Sequence, residues 1–201
     1  MTQHESFFQQ KQPAAVLKHA VLSEYTRVFA SAVGPPPVWV IDGHAGAGAH
    51  ESDNPEASHP EGSPLVMLKT ARSLAKTQTI NSIFIERNPA IASALEVNTA
   101  HFRAHGLGVT VLKGDVEDRL PQAWRLVGND PVVTFLDPFG VAMSRAMMTN
   151  QLLARPQGAR PSEVLLSINV EAVRRIGGNF TEDVQGKVMP RAGRGFYMPP
   201  T

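Results

Sequence analysis

The segment "VIDGHAGAGAHE", residues 40–51, places small residues and glycines directly behind an acid at the end of an apolar run. It continues a short apolar run, Val38-Trp39-Val40-Ile41, which is rich in β-branched residues and follows three prolines, so a buried strand is predicted here. An acid, Asp42, and then three glycines among small residues come directly after this strand. Such a turn allows a ligand or another backbone segment to approach closely, because few side-chain atoms stand in the way.

Apolar strands alternate with helical patterns along the rest of the chain. An amphipathic helix is predicted over residues 14–32 by apolar residues at mixed spacings of three and four. Strands are predicted at 38–41, 82–86, 109–113, 132–136 and 163–169, with helices at 64–75, 88–105, 116–126 and 144–153 between them. This alternation predicts an α/β fold, a doubly wound and mainly parallel Rossmann-like sheet with helices on both faces.

The length of 201 residues and the hydrophobic content of 42% suit one substantial core. We predict a single Rossmann-like domain over residues 1–170, with its C-terminal strands incomplete. Residues 171–201 are rich in Gly, Arg and Pro and are predicted to be an irregular, basic tail. The Arg174-Arg175 pair makes this tail the best candidate for a nucleic-acid contact.

Composition excludes several classes of site. The formal charge of +1 gives no global attraction to nucleic acid or membranes, so such a partner would need a local patch. The absence of cysteine excludes disulfides, thiolate metal sites and cysteine nucleophiles. No leader pattern and no apolar run near the ~20 residues of a membrane span are present, so a cytoplasmic protein is expected. The histidines and acids of the loop after the first strand are irregularly spaced, and no metal site is predicted there.

Four acids follow the predicted strands and mark a candidate site. Asp42, Glu86, Asp115 and Asp137 each stand at the carboxyl end of a strand or just beyond it. Ligands of doubly wound sheets bind outside these strand ends, at the point where the strand order reverses. Glu86 or Asp115 taken alone is better explained as a solvated loop residue or a helix cap, but the joint occurrence of these acids at successive strand ends favours a site.

The glycine turn lacks the features of the two common nucleotide-binding motifs. A P-loop requires Lys followed by Ser or Thr after its last glycine, and neither follows Gly48. A dinucleotide fingerprint requires a third glycine where Glu51 stands. An acid at position 42 would repel a pyrophosphate but would attract the cationic amino-acid end of S-adenosylmethionine.

The other strand-end acids fit the same cofactor. Glu86 is placed to accept hydrogen bonds from both ribose hydroxyls, and Asp115, after Gly114, to accept one from the adenine amino group. The predicted cofactor-binding residues are Asp42, Gly43, His44, Ala45, Gly46, Gly48, Glu86, Arg87, Gly114 and Asp115.

Taken in order, these motifs resemble the three-Cys-motif partner protein family, a bacterial group with a class I methyltransferase-like fold. The resemblance covers residues 14–180; its members usually carry an aromatic residue where His44 stands and usually continue well beyond residue 201. It implies an S-adenosylmethionine-dependent transferase that works beside a partner protein. The matching segments are Asp42 to Gly48, Gly62-Ser-Pro64, Ile85-Glu86, Gly114-Asp115 and Asp137 to Gly140, with Lys18 and Tyr25 in the leading helix.

The segment Asp137-Pro138-Phe139-Gly140 indicates a substrate class. It is similar to the D-P-P-Y motif of exocyclic-amine methyltransferases and to the D-P-F-G of tRNA guanine-N2 methyltransferases. In such a motif the carboxylate and the proline carbonyl hold the two amine hydrogens, so that the nitrogen lone pair is directed to the methyl group. The aromatic ring can stack on the base. These four residues are the predicted catalytic residues, and a strand-ending turn is the alternative.

Three functional hypotheses follow. The first is a methyltransferase that acts on an exocyclic amine of a DNA or RNA base, with the acceptor base left open. The second is a non-catalytic methyltransferase-like module that works in a complex with another chain, which would cover an exposed sheet edge. The third, a nicotinamide-dependent dehydrogenase, is weakened by the missing third glycine and by the absence of a Tyr-x-x-x-Lys pair.

Overall fold

A computed structural model describes residues 13–49, 61–138, 143–154, 158–168, 170, 180–182 and 188–190. The chain divides into two compact units. The first comprises the described parts of Met1–Asp137 and Ser144–Ser167, and the second those of Pro138–Met143 and Ile168–Thr201. The candidate site is built from the first unit.

The first unit alternates helices with strands, as the sequence predicts. Its last helical segment is one short α-helical turn (Arg145–Met147) that continues into a π-helical turn (Met148–Leu152), where the sequence predicts one helix over 144–153. The elements are α1 (Pro13–Val33), β1 (Val38–Asp42), α2 (Ser63–Leu74), β2 (Ile80–Glu86), α3 (Pro89–Ala104), β3 (Gly108–Lys113), α4 (Val116–Val127), β4 (Val132–Leu136), α5 (Arg145–Met147), the π-helical turn (Met148–Leu152) and β5 (Ser162–Leu166).

The five strands form one parallel sheet in the order β3-β2-β1-β4-β5. β1 is central, with Asp42 in register with Phe84 of β2 on one side and with Phe135 of β4 on the other. The strand order therefore reverses between β1 and β4, the switch point at which doubly wound sheets bind ligands. The predicted α/β, doubly wound parallel fold is confirmed.

The strands are continuous apolar runs in sequence because the sheet is buried on both faces. All five residues of β4 are buried, because helices cover both faces of the sheet. α1 packs on α2, and both contribute to one large cluster with the strands and α3. The main side chains of this cluster are Leu22, Phe29, Val40, Met67, Leu68, Phe84, Leu95, Phe102, Val133 and Phe135.

Three local predictions need correction. Gly62, not Ser63, is the N-cap of α2, and Ser63 is the first helical residue, so its hydroxyl does not cap the helix. β5 ends at Leu166 and not at residue 169, since its pairing with β4 ends where β4 does.

The third correction concerns the tail. Phe180–Glu182 (β6) and Val188–Pro190 (β7) form a two-stranded antiparallel sheet in the second unit, where the sequence predicted no regular element. Strands of three residues are too short for an alternating pattern, and a proline at the end of one argues against a strand in sequence. Arg174 and Arg175 lie outside the described residues.

No helix among the described residues is long and apolar enough to cross a membrane.

Candidate functional site

Asp42, the last residue of β1, is fully buried at the switch point. Its Oδ1 accepts a hydrogen bond of 3.1 Å from the backbone N–H of His44. Oδ2 is buried and has no hydrogen-bond partner in the described part of the chain. Burial raises the pKa of Asp42 to about 6, although the Ser63 hydroxyl and the His44 N–H both favour the ionised form. The carboxylate therefore has an unmet demand for a donor or a cation.

The glycine turn is fastened to the strands on both sides of β1. The Gly43 N–H donates to the carbonyl of Phe135 in β4 at 3.0 Å. The Ala45 N–H donates to the carbonyl of Ile85 in β2, also at 3.0 Å. The turn thus lies across the ends of three neighbouring strands, and its backbone position is fixed by the sheet itself.

The glycines of this turn serve different purposes. A Cβ atom at Gly43 would overlap the Leu136 side chain, and one at Gly48 would lie 2.9 Å from Leu95 Cδ1. A Cβ at Gly46 would meet no atom of the described residues within 4 Å, although the positive φ of 63° still favours glycine. Gly43 and Gly48 are therefore required by protein packing, whereas the described part of the chain leaves the Cβ position of Gly46 open.

Glu86, the last residue of β2, holds the turn through its carboxylate. Oε2 accepts from the Gly46 N–H at 3.0 Å, and Oε1 accepts from the Asn88 N–H at 2.8 Å. Asn88 in turn caps α3, with its side chain accepting from the Ala90 and Ile91 N–H groups. A carboxylate has about four lone-pair sites, so Glu86 keeps acceptor capacity beyond these two bonds.

Asp115 caps a helix at the end of β3. Its side chain accepts from the Glu117 N–H at 3.2 Å, at the start of α4. The preceding Gly114 has a φ of 140° and donates its N–H to the Glu86 carbonyl at 3.0 Å, which places the ends of β3 and β2 side by side. Asp115 is thus the N-cap of α4, which is the alternative to a ligand-binding role. Its adenine-binding role stays a prediction.

His44 lies among the strand-end charges. Its Nδ1 is buried and has no hydrogen-bond partner among the described residues. Burial lowers the pKa of its imidazole, against the opposing influence of Asp115, Asp137 and Glu86. Arg87, which is exposed, also lowers this pKa. His44 is therefore neutral near pH 7, in the middle of an acidic cluster.

α1 is tied to the sheet by two polar contacts between distant residues. Lys18 Nζ forms an ion pair with Asp137 Oδ2, beyond the end of β4. About two turns further along the same helix, the Tyr25 hydroxyl donates to Glu163 Oε2 in β5, and this contact raises the pKa of Tyr25. The family resemblance includes Lys18, Tyr25 and Asp137 but pairs none of them, and it does not include Glu163, since nothing local links residues so far apart.

The structure brings together most of the predicted site residues. Asp42, His44, Gly46, Glu86 and Asp115 line the ends of β1, β2 and β3, and Asp137 follows β4. Ser63, which the sequence pattern assigned to helix capping, is an additional member beside Asp42. Pro138 belongs to the second unit, and Phe139, Gly140 and the loop histidines His50 and His59 lie outside the described residues. No cluster of three or more potential metal ligands occurs within the described residues.

Comparisons with known proteins give a distant structural neighbour. No family model matches the chain, and no curated protein matches it. Among solved structures, the chain is similar to a hypothetical protein of Thermus thermophilus, at 24% identity and a TM-score of 0.45. The match covers 78% of this chain and 74% of that one. The fold assignment accordingly depends on the strand order and register given above.

Proposed function

We propose that this protein is an S-adenosylmethionine-dependent methyltransferase that acts on an exocyclic amine of a nucleic-acid base. The observation that carries the proposal is Asp42, a buried carboxylate whose Oδ2 has no hydrogen-bond partner among the described residues. In the turn that follows it, no atom of the described residues lies within 4 Å of the Cβ position of Gly46. An ionised carboxylate in such surroundings is stabilised by a cation. The amino-acid end of S-adenosylmethionine supplies both an ammonium and a sulfonium.

The surrounding charges favour a cationic ligand over a pyrophosphate. Glu86, Asp115 and Asp137 all act on the same imidazole, His44, so their negative charges share one small region. A pyrophosphate would be repelled there, which weighs against a nicotinamide dinucleotide. In the proposed complex Glu86 accepts from the ribose hydroxyls and Asp115 from the adenine amino group.

Asp137 would orient the methyl acceptor. The cofactor supplies an electrophilic methyl group, and the amine nitrogen attacks its carbon while the carbon–sulfur bond breaks with its electrons left on sulfur. The Asp137 carboxylate accepts a hydrogen bond from the amine before attack, which directs the lone pair, and the nitrogen loses a proton afterwards. The roles of Pro138, Phe139 and Gly140 follow only from their resemblance to amine methyltransferase motifs.

A non-catalytic role beside a partner protein is the second candidate. The Lys18–Asp137 ion pair favours it, because the carboxylate assigned to the amine is already engaged by a lysine. Affinity purification from native cells distinguishes the two. A chain that methylates RNA or DNA alone excludes the second candidate, and a stable complex without methylation excludes the first.

The experiment for the first proposal has two stages. Calorimetry with S-adenosylmethionine tests the pocket in the wild type and in the double variant Asp42→Ala, Glu86→Ala. We expect binding in the wild type and loss in the double variant; absence of binding, or equal binding in both, contradicts the proposal. Mass spectrometry of nucleosides from cells with and without the gene then identifies the methylated base.

A further inference from the structure

Two histidines lie together at the end of α3, outside the candidate site. His101 and His105 are four residues apart, so their side chains share one face of the last helical turn. Both are exposed, and their ring centroids are 4.2 Å apart with the rings tilted by 46°. The sequence motif His-x-x-x-His at 101–105 belongs to none of the strand-end patterns described above.

A hydrogen bond fixes the orientation and the tautomer of one ring. His105 Nδ1 lies 2.7 Å from the backbone carbonyl oxygen of His101. A carbonyl oxygen can only accept, so Nδ1 carries the proton, and in the neutral ring the lone pair is on Nε2. Metal-binding histidines commonly use this arrangement, in which one ring N–H donates to a backbone carbonyl and the other nitrogen faces the metal.

We propose that His101 and His105 together bind one divalent transition-metal ion of the Zn²⁺, Cu²⁺ or Ni²⁺ class. Imidazole suits these metals, and two side chains on one helical turn can chelate a single ion. Water would fill the remaining positions, so the bound ion would exchange readily. The site is at the C-terminal end of α3, where the helix dipole favours positive charge.

Two side chains between these histidines in sequence make contacts elsewhere. Arg103 Nε donates to the carbonyl of Val109 at 3.4 Å, which directs its guanidinium towards β3. Phe102, between the two histidines in sequence, is buried beneath Arg72, whose guanidinium lies 5.4 Å from the ring centroid. This buried anchor holds the turn in place, because Phe102 belongs to the main core cluster.

The test is calorimetric titration of the full chain with Zn²⁺ and Ni²⁺. The variants are His101→Ala, His105→Ala and the double variant, with the double substitution His50→Ala, His59→Ala as the control for other histidines. Each single variant should weaken the affinity by on the order of 10- to 100-fold, because chelation makes the second bond intramolecular. The double variant should lose little more metal affinity than either single variant does. The control should bind Zn²⁺ and Ni²⁺ as the wild type does.

A second readout identifies the ligands directly. Substoichiometric Cu²⁺ should broaden the nuclear magnetic resonance signals of both rings at the same metal concentration. The proposal is overturned if the wild type binds neither metal, or if either His101→Ala or His105→Ala binds within two-fold of the wild type, since the two rings would then not share one ion. Both positions are exposed, so alanine should leave the fold intact, which urea denaturation checks. This result is independent of the proposed methyltransferase function.

Discussion

Lys18 and Asp137 form an ion pair that joins α1 to the end of β4 across 119 residues of sequence. Their side chains are 28% and 31% exposed, so the pair lies at the rim of the candidate site, open to solvent. Lys18 also lowers, and Asp137 raises, the pKa of the buried Asp42. Lys18 of α1 thus balances the charge of the carboxylate to which the proposed function assigns the amine.

Replacement of Asp137 should separate cofactor binding from catalysis. Asp137→Ala should leave the affinity for S-adenosylmethionine within a few-fold, and should lower the methylation rate by roughly 100-fold or more, the scale of a positioned acid–base or orienting group. The measurement is single-turnover methylation of the identified substrate beside cofactor calorimetry.

Lys18→Ala is the matched control for this variant. It removes the same ion pair and leaves the carboxylate, so it should keep far more activity than Asp137→Ala. Its cost in stability should be at most about 1 kcal/mol, because the pair is partly exposed. Full methylation by Asp137→Ala would contradict the amine-binding role of Asp137. The strand-ending turn would then be the better explanation of the motif.

The contribution of Asp42 to the stability should decrease as the pH rises from about 4 to about 6. Its pKa is raised from 3.8 to about 6 in the folded state. At this residue the folded state therefore binds more protons than the unfolded chain in this window, so its contribution to the free energy of unfolding falls with rising pH and then levels off. Two pKa units correspond to about 3 kcal/mol as an upper bound.

Asp42→Asn gives the comparison, since it keeps the size of the side chain without the charge. The stability difference between this variant and the wild type should grow in favour of the variant from pH 4 to pH 7. Urea denaturation at four or five pH values measures it. Parallel pH profiles for the two proteins would show that Asp42 is not the group responsible.

The fold and the positions of the acids could be predicted from sequence, whereas their partners could not. Asp42, Glu86 and Asp137 follow apolar runs whose length and β-branched content identify them as strands. The order β3-β2-β1-β4-β5 and the Lys18–Asp137 contact depend on long-range packing, which no local pattern encodes. Capping is equally ambiguous: Ser63 before a proline has the sequence of an N-cap, and Gly62 takes that place.

The glycine turn shows the same limit. The sequence pattern predicts close approach of a ligand or another backbone segment and does not distinguish between the three glycines. Gly43 and Gly48 accommodate Leu136 and Leu95, whereas no atom of the described residues lies near the Cβ position of Gly46. A glycine in sequence indicates that space is needed, but not which atom comes close.

Gly46→Ala should lower the affinity for S-adenosylmethionine beyond any effect of its loss of stability. Its φ of 63° costs alanine about 1–2 kcal/mol of strain, and the added methyl group enters the open space. Gly106→Ala is the control, because Gly106 has a φ of 85°, no atom of the described residues near its Cβ position and no place in the site. Both variants should lose similar stability in urea, and only Gly46→Ala should lose cofactor affinity. Equal affinities would show that the space at Gly46 is not used.

Glu86→Gln should loosen the glycine turn. The amide cannot accept at both of its terminal atoms, so either the Gly46 or the Asn88 N–H would lose its acceptor. The expected loss of stability is about 0.5–1.5 kcal/mol, the net contribution of one hydrogen bond. Hydrogen exchange at the Gly46 or Asn88 amide should accelerate. Unchanged exchange at both would mean that Glu86 does not hold the turn.

The role of the Asp42 carboxylate in cofactor binding is tested by the affinity of S-adenosylmethionine for the wild type and for Asp42→Asn, measured by calorimetry at pH 7.5 and at pH 5. Loss of the charge should cost about 1.5–3 kcal/mol of binding free energy at the higher pH. Because the pKa of Asp42 is about 6, wild-type binding should weaken at the lower pH, where the carboxyl is protonated, and the variant should show no such change. Wild-type binding that is absent, or that equals Asp42→Asn binding at both pH values, would contradict the account.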